Sequence, residues 1–398
     1  MVRLLAVIVL FASLPLEAAP SLDARVGKAV DRGQTFLLSR FDRDKGWGEA
    51  RGTGTYSDVG QPYLYPAGVT AFVVYALLKA GTPPDDKRIR RSISILRLRH
   101  RRPPIAYEIS MLLLAVAEWG GAARSPDFRE PKYRAERSTH KYKKPKSSPI
   151  KRETWTWITE LTKKLITFQS EAGGWRYYPK DFHSGGREDV SSTQFALLAL
   201  ATASRVGYDV PPEVFRKARD YLLKVQDVDG PLVPRAVHVP DGEADAQDRA
   251  RGFAYIRGAK AAPHWATTNG GMTAAGVASL LLVRAELGPD ERVEQAILDG
   301  FAWLGRYFSV RVNPGRAPFL GGSYHYTYLY ALERCGDLAG REVIGGRSWY
   351  AEGARVLLDR QSENGAFPDP TSMNPKDVLG TAFALLFLTR ASRPVSGS

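Results

Sequence analysis

Apolar side chains recur every three to four residues along most of the chain, the spacing of helices with a buried side. The helical segments are of two kinds. One is amphipathic, as in Val214-Phe-Arg-Lys-Ala-Arg-Asp-Tyr-Leu-Leu223. The other is apolar on nearly every side, as in Thr193-Gln-Phe-Ala-Leu-Leu-Ala-Leu200. An amphipathic helix suits a solvent-facing layer, whereas a helix apolar all round must be buried. The two kinds alternate. The pattern predicts outer helices at 22–41, 85–99, 154–170, 211–226, 290–308 and 347–361. Each is followed by an inner partner at 67–80, 105–119, 191–206, 271–287, 322–336 and 378–391.

These hairpins repeat in sequence. Asp189-Val-Ser-Ser-Thr-Gln-Phe-Ala-Leu-Leu-Ala-Leu200 aligns without a gap on Asp377-Val-Leu-Gly-Thr-Ala-Phe-Ala-Leu-Leu-Phe-Leu388. Thr70-Ala-Phe-Val-Val-Tyr-Ala-Leu77 fits the same register, and Thr273 opens a looser copy. Between outer and inner helices stand glycine–aromatic turns: Gly46-Trp47-Gly48, Gly173-Gly-Trp175-Arg-Tyr177 and Gly365-Ala-Phe367, with Gly252-Phe253-Ala-Tyr255 inside a longer loop. Gly81, Gly207, Gly288 and Gly336 follow inner helices as expected of C-caps. An open stack of such hairpins would need polar end repeats. The last inner helix, Thr381 to Leu388, is as apolar as the middle ones, which predicts a closed double ring.

The helix–Gln–turn–Trp pattern, in Gln169 to Trp175 above all, resembles the repeats of squalene and oxidosqualene cyclases and of protein prenyltransferase β subunits. It is most similar to secreted bacterial proteins carrying prenyltransferase/squalene-oxidase repeats. The resemblance spans nearly the whole chain and implies an all-α fold, an (α/α)6 toroid of six helical hairpins. It also implies that the inner helices begin at one shared face.

The chemistry of those families does not transfer whole. In the triterpene cyclases an Asp-x-Asp-Asp-Thr motif opens an inner helix, and its middle Asp protonates an alkene. Here the matching run is Asp189-Val-Ser-Ser-Thr193. Ser191 stands where that acid would be, and a hydroxyl is far too weak an acid for an alkene. A helix-start role accounts for the residues that remain. Ser191-Ser-Thr-Gln194 fits a capping box, and Asp189 adds negative charge at the helix N-terminus. Asp377 fits the same role for its helix, and Asn269 is a neutral variant. The prenyltransferase zinc site is not matched either. Cys335 is the one cysteine, Asp337 follows rather than precedes it, and His325 lies on the same segment. A thioester toroid's Cys-Gly-Glu-Gln run is absent. We expect no cofactor and no metal.

Convergence of the inner-helix N-termini gathers a group of chemically capable residues. Asp189, His325, Asp377 and Glu108 are the candidate catalytic groups. Tyr65, Tyr107, Asn269, Tyr324, Tyr326 and Trp265 are the candidate ligand contacts. An aromatic mouth with a few acids suits an apolar ligand or a glycan. Two functions from different classes follow. The first is a ligand-binding or scaffold protein of the cell envelope. The second is an enzyme using the mouth, either a divergent terpenoid cyclase or isomerase, or a glycan-active hydrolase or lyase.

Composition adds location. Arg3, the apolar run Leu4–Leu14 and Glu17-Ala18-Ala19 read as a signal peptide over 1–19, too short to span a bilayer comfortably, and no later run is long enough. The toroid then occupies 20–394, and the mature chain is expected to be secreted, periplasmic or held at the envelope. A lone cysteine allows no internal disulfide. The net charge is +14 over 398 residues. Asp85–Arg102 carries +6, from eight basic and two acidic residues. Arg124–Arg152 carries +8, from eleven and three, so the two hold the whole excess. Both could meet an anionic envelope surface. No base-reading or stacking motif accompanies them, so no nucleic-acid partner is expected. The basic loop 121–151 and the mouth loop 230–269 read as insertions in the ring. Loop 121–151 has no apolar period. Deleting the residues between Gly121 and Lys151 should shift unfolding free energy by about 1 kcal/mol or less, by loop-closure entropy. Urea unfolding of the deletion protein checks this, and loss of folding would contradict it.

Overall fold

The computed structural model describes residues 20–48, 66–121, 150–178, 188–237, 246–257, 263–315, 324–369 and 376–391. The N-terminal segment 1–19, Tyr65 and nearly all of the basic loop lie outside these residues. The outer helices are α1 (Leu22–Ser39), α3 (Lys87–Arg99), α5 (Arg152–Thr167), α7 (Pro212–Val225), α10 (Glu291–Arg306) and α12 (Trp349–Arg360). The inner helices are α2 (Pro66–Lys79), α4 (Ala106–Trp119), α6 (Val190–Arg205), α9 (Gly270–Leu287), α11 (His325–Leu338) and α13 (Lys376–Leu388). A single turn, α8 (Pro263–Ala266), precedes α9. Each inner helix packs on the next, and α13 packs back onto α2, closing the ring.

The repeated sequence marks are the contacts that build it. In four inner helices a threonine hydroxyl accepts the backbone N–H of an aromatic turn residue. Thr70 takes Trp47 at 3.2 Å, Thr193 takes Trp175 at 3.0 Å, Thr273 takes Phe253 at 3.1 Å and Thr381 takes Phe367 at 2.9 Å. The last three donate in turn to the carbonyl four residues back, on Asp189, Asn269 and Asp377. The indole N–H of Trp47 donates to Leu37 O and that of Trp175 to Leu165 O, fixing each turn to its outer helix.

The glutamines sew neighbouring hairpins together. Gln169 Nε2 donates to Gly173 O in its own turn and to Val214 O on the next outer helix, at 2.8 and 2.9 Å. Gln226 reaches Arg251 O and Ala296 O. Gln361 reaches Gly365 O and, across the seam, Ala29 O at 2.9 Å. Arg32 strengthens the seam by donating to Ser362 O and Glu363 O, both at 2.8 Å. The turn glycines are required by the same closeness. Gly173 and Gly365 have φ of 99° and 89°, and a Cβ there would lie 2.1 Å from Lys217 O or 2.5 Å from Arg32 O.

Three expectations change. Gly336 lies inside α11, where its bare Cα lets Trp349 pack; a Cβ would sit 2.5 Å from the indole. Helix α9 is, by length and composition, apolar enough to cross a bilayer, contrary to the reading that no later run is long enough. It is an inner helix, 78% buried in the ring, which accounts for its apolar character. The mouth loop also divides. Its first part forms an antiparallel pair, β1 (Leu232–Pro234) with β2 (Gln247–Arg249), that clasps α10. There Asp248 is held by Arg235 and Gln295, and Asp299 by Arg249 N and Arg251. Among the described residues of this loop, the later part, with Tyr255 and Trp265, reaches the inner-helix N-termini.

Gln361→Ala removes the seam hydrogen bond to Ala29 O and the turn hydrogen bond to Gly365 O. It should lower stability by about 1–3 kcal/mol. Gln169→Ala, with the same two-bond pattern inside the ring, should cost a similar amount in urea unfolding. No change at Gln361 would show that closure rests elsewhere.

Candidate functional site

The first turns of the inner helices are tied together. Ala106 N donates to Tyr177 O, Val190 N to Tyr255 O, and Gly68 N to the Glu108 carboxylate at 3.2 Å. Gly270 N donates to Pro314 O, and Tyr326 N to Asp369 Oδ2. This gathering makes the mouth.

Asp189 is buried and is itself the N-cap of α6, its carboxylate accepting from Ser192 N at 2.6 Å and Ser192 Oγ at 2.8 Å. The capping box read from the sequence is therefore displaced by two residues. Ser191 lies inside the helix and hydrogen-bonds the hydroxyl of Tyr107. Gln194 turns away from the cap, and its Oε1 accepts from Arg334 NH2. Sequence spacing allowed either frame, and the four-residue link from Thr193 to Asp189 O selects this one. Burial pushes the Asp189 carboxyl up to about 6, against the two serine hydrogen bonds that favour the anion. Asn269 is the corresponding cap of α9, accepting from Met272 N at 3.1 Å. Asp377 stands half-buried in the first turn of α13. Glu108 is buried and, through Gly68, caps the neighbouring helix α2; burial raises its carboxyl pKa.

Aromatic rings cluster around Asp189. Tyr107 packs on Tyr177 with centroids 5.1 Å apart and on Phe195 at 5.4 Å. Tyr255 packs on Trp265 at 4.9 Å. Tyr107, Tyr177, Tyr255 and Trp265 are each half-buried. Tyr177 and Tyr255 read in the sequence only as turn residues. Their place before an inner helix, in register with one another, was the signal.

His325 belongs to a different environment. It is buried, with Nε2 3.0 Å from Val310 O and Nδ1 2.8 Å from Arg360 NH1 of α12. That pattern fits a neutral ring donating from Nε2 to the carbonyl and accepting at Nδ1. Burial holds its pKa down at about 4. Tyr326 beside it is buried, whereas Tyr324 is 37% exposed, with a left-handed φ of 63°. The mouth thus divides into an Asp189 cluster and a His325 cluster. Cys335 is buried, and burial raises its thiol to about 12, so it stays a thiol at neutral pH. Among the described residues, no three His, Cys, Asp or Glu side chains group as metal ligands do.

No protein-family model matches the sequence, and no curated protein matches it. Solved structures do match. The unsaturated glucuronyl hydrolase of Bacillus sp. GL1, responsible for the degradation of glycosaminoglycan, superposes with a TM-score of 0.56 at 15% identity, over 95% of this chain and 98% of that one. The alpha-1,6-mannanase GH76A of Salegentibacter sp. HEL1_6, solved with alpha-1,6-mannotriose, gives 0.54 at 11% identity, over 92% and 98%. The type II terpene cyclase MstE from Scytonema, as a single-site variant, gives 0.50 at 13% identity, over 93% and 98%. At these identities the likeness establishes the fold: the chain is an α/α toroid.

The two buried groups titrate with opposite consequences. The folded-state pKa of Asp189, about 6, lies above the unfolded carboxylate value. Its stability contribution is full below about pH 4 and is lost as pH rises through about 6. The folded-state pKa of His325, about 4, lies below the unfolded imidazole value. Its contribution is full above about pH 6.5 and is lost as pH falls through about 4. Asp189→Asn should therefore leave a protein that destabilises on acidification from pH 6.5 to 4. His325→Gln should leave one that gains stability over the same range. Unfolding midpoints across pH measure both slopes, and equal slopes in the two variants would contradict the assignment.

Proposed function

We propose that this protein is an exported carbohydrate-binding toroid of the cell envelope, with its ligand at the Asp189 face of the mouth. The observation that carries the reading is the set of half-buried aromatic residues Tyr107, Tyr177, Tyr255 and Trp265 around a carboxylate already used as a helix cap. Aromatic faces beside hydroxyl groups suit the flat apolar side and polar rim of a sugar ring. Two of the compared toroids are named for glycans, a fold-level analogy that favours the same class. Export rests on the N-terminal segment 1–19. The basic stretch Arg124–Arg152 would hold the protein to an anionic envelope surface.

Cyclase chemistry fits this interior poorly. An alkene-protonating acid needs a free, strongly acidic proton aimed into a hydrocarbon chamber. Asp189 instead accepts two hydrogen bonds, and Ser191 replaces the central acid. Inside the ring, the guanidinium of Arg334 lies 4.1 Å from the Tyr330 centroid and 5.2 Å from that of Phe195. It occupies the π faces that would otherwise stabilise a carbocation.

One observation favours a second reading, a glycan hydrolase or lyase. The Asp189 carboxyl has its pKa at about 6 and acts electrostatically on Tyr107, whose hydroxyl meets that of Ser191. A carboxyl tuned to that range can serve as a general acid.

A glycan array followed by calorimetric titration of residues 20–398 tests the proposal. Tyr107→Ala and Trp265→Ala should each weaken the identified glycan at least about tenfold, roughly 1.4 kcal/mol. Asp189→Asn should keep binding within about twofold. Turnover of the glycan by the wild type, lost in Asp189→Asn, would replace binding with catalysis. Absence of glycan binding, or cyclisation of squalene, would overturn the proposal.

A further inference from the structure

The ring interior holds a buried guanidinium with no ion-pair partner among the described residues. Arg334 of α11 is 2% exposed, and no carboxylate lies within ion-pair distance of it among the described residues. Its NH2 donates to the neutral Gln194 Oε1 of α6, while its NH1 has no acceptor. Gln194, also 2% exposed, keeps an equally unpartnered donor in Nε2. The two residues come from inner helices that are not neighbours, with α9 between them in the ring. Rings from further inner helices surround the pair. Tyr330 and Phe195 flank the guanidinium, and Phe72 and Phe383 pack on Tyr330 at 6.2 and 5.8 Å. Buried cations are ordinarily paired, and buried donors are ordinarily satisfied. Here a positive charge and two unused N–H groups share one aromatic enclosure.

We infer that the interior of the ring is a binding site for an oxyanion of the carboxylate class, held by Arg334 NH1 and Gln194 Nε2. A carboxylate supplies the missing countercharge and offers two oxygens to two donors. Phe195 connects this site to the mouth, because its ring contacts both Tyr107, at 5.4 Å between centroids, and the Arg334 guanidinium, at 5.2 Å. A carboxylate could therefore arrive free or as the acidic end of a ligand lodged in the mouth. The inference goes beyond the carbohydrate reading and stands without it.

The test is calorimetric titration of residues 20–398 with sodium acetate and sodium glucuronate at constant ionic strength, with glucose as the neutral control. Acetate or glucuronate should bind saturably, and glucose should not reproduce the anion's heat. Arg334→Met, which keeps the stem and removes the charge, should abolish anion binding. Gln194→Leu should weaken it at least fivefold and serves if the arginine variant fails to fold. Equal affinity for acetate and glucuronate identifies a free-anion site. At least tenfold tighter glucuronate, lost in part with Tyr107→Ala, identifies the acidic end of a mouth ligand. No anion binding by the wild type, or binding unchanged in the folded variants, overturns the inference.

Discussion

The ring depends on one recurring hydrogen-bonded joint. A turn that carries a large aromatic side chain into the core also buries its own backbone N–H, and an unpartnered buried N–H is costly. Thr193, Thr273 and Thr381 meet that need with one hydroxyl, which accepts from the turn and donates to the carbonyl four residues back. Thr70 serves the first turn by accepting from Trp47 and Gly48, and it donates to Lys45 O of the turn itself. The hydroxyl thus locks an inner helix to the turn before it. The glutamine at the end of the outer helix locks that turn to the next hairpin. Closure follows when the last glutamine, Gln361, finds the first outer helix at Ala29.

This joint also places the duplicated aspartate. The residue four before Thr193, Thr273 and Thr381 is the one whose carbonyl receives the hydroxyl. In α6 and α9 it is also the N-cap, so an Asp or Asn there closes the helix start with its side chain. Asp189 is fixed by architecture, and its depth below the mouth aromatics is a consequence. The same constraint leaves Tyr107, Tyr177, Tyr255 and Trp265 as the half-buried aromatic part of that face. It also directs Gln194 inward to Arg334 instead of back to the cap.

The helices were legible because amphipathic and fully apolar segments alternate with a clear period. Boundaries of the six hairpins agree to within a few residues, and closure followed from the apolar last helix. Less was legible where partners come from distant segments. Gln194 satisfies a capping-box pattern locally, and only the arrival of Arg334, 140 residues away, shows its other use. His325 looked distinctive because no other repeat places a titratable ring there. Its partners, Val310 and Arg360, come from a loop and an outer helix that the local pattern does not bring together. The mouth loop carried no period to reveal that its first half would pair as β1 and β2 and clasp α10. Tyr177 and Tyr255 were visible as turn aromatics, but their grouping with Tyr107 required the ring.

Amide hydrogen exchange at Trp47, Trp175, Phe253 and Phe367 tests the central joint most directly. These residues lie outside the helices, yet the account places their N–H groups among the slowly exchanging amides, opening only with the inner helices they are tied to. Thr193→Val should release Trp175 selectively. Exchange at all four sites as fast as in the exposed turns around them would contradict the claim that threonine joints hold the ring together.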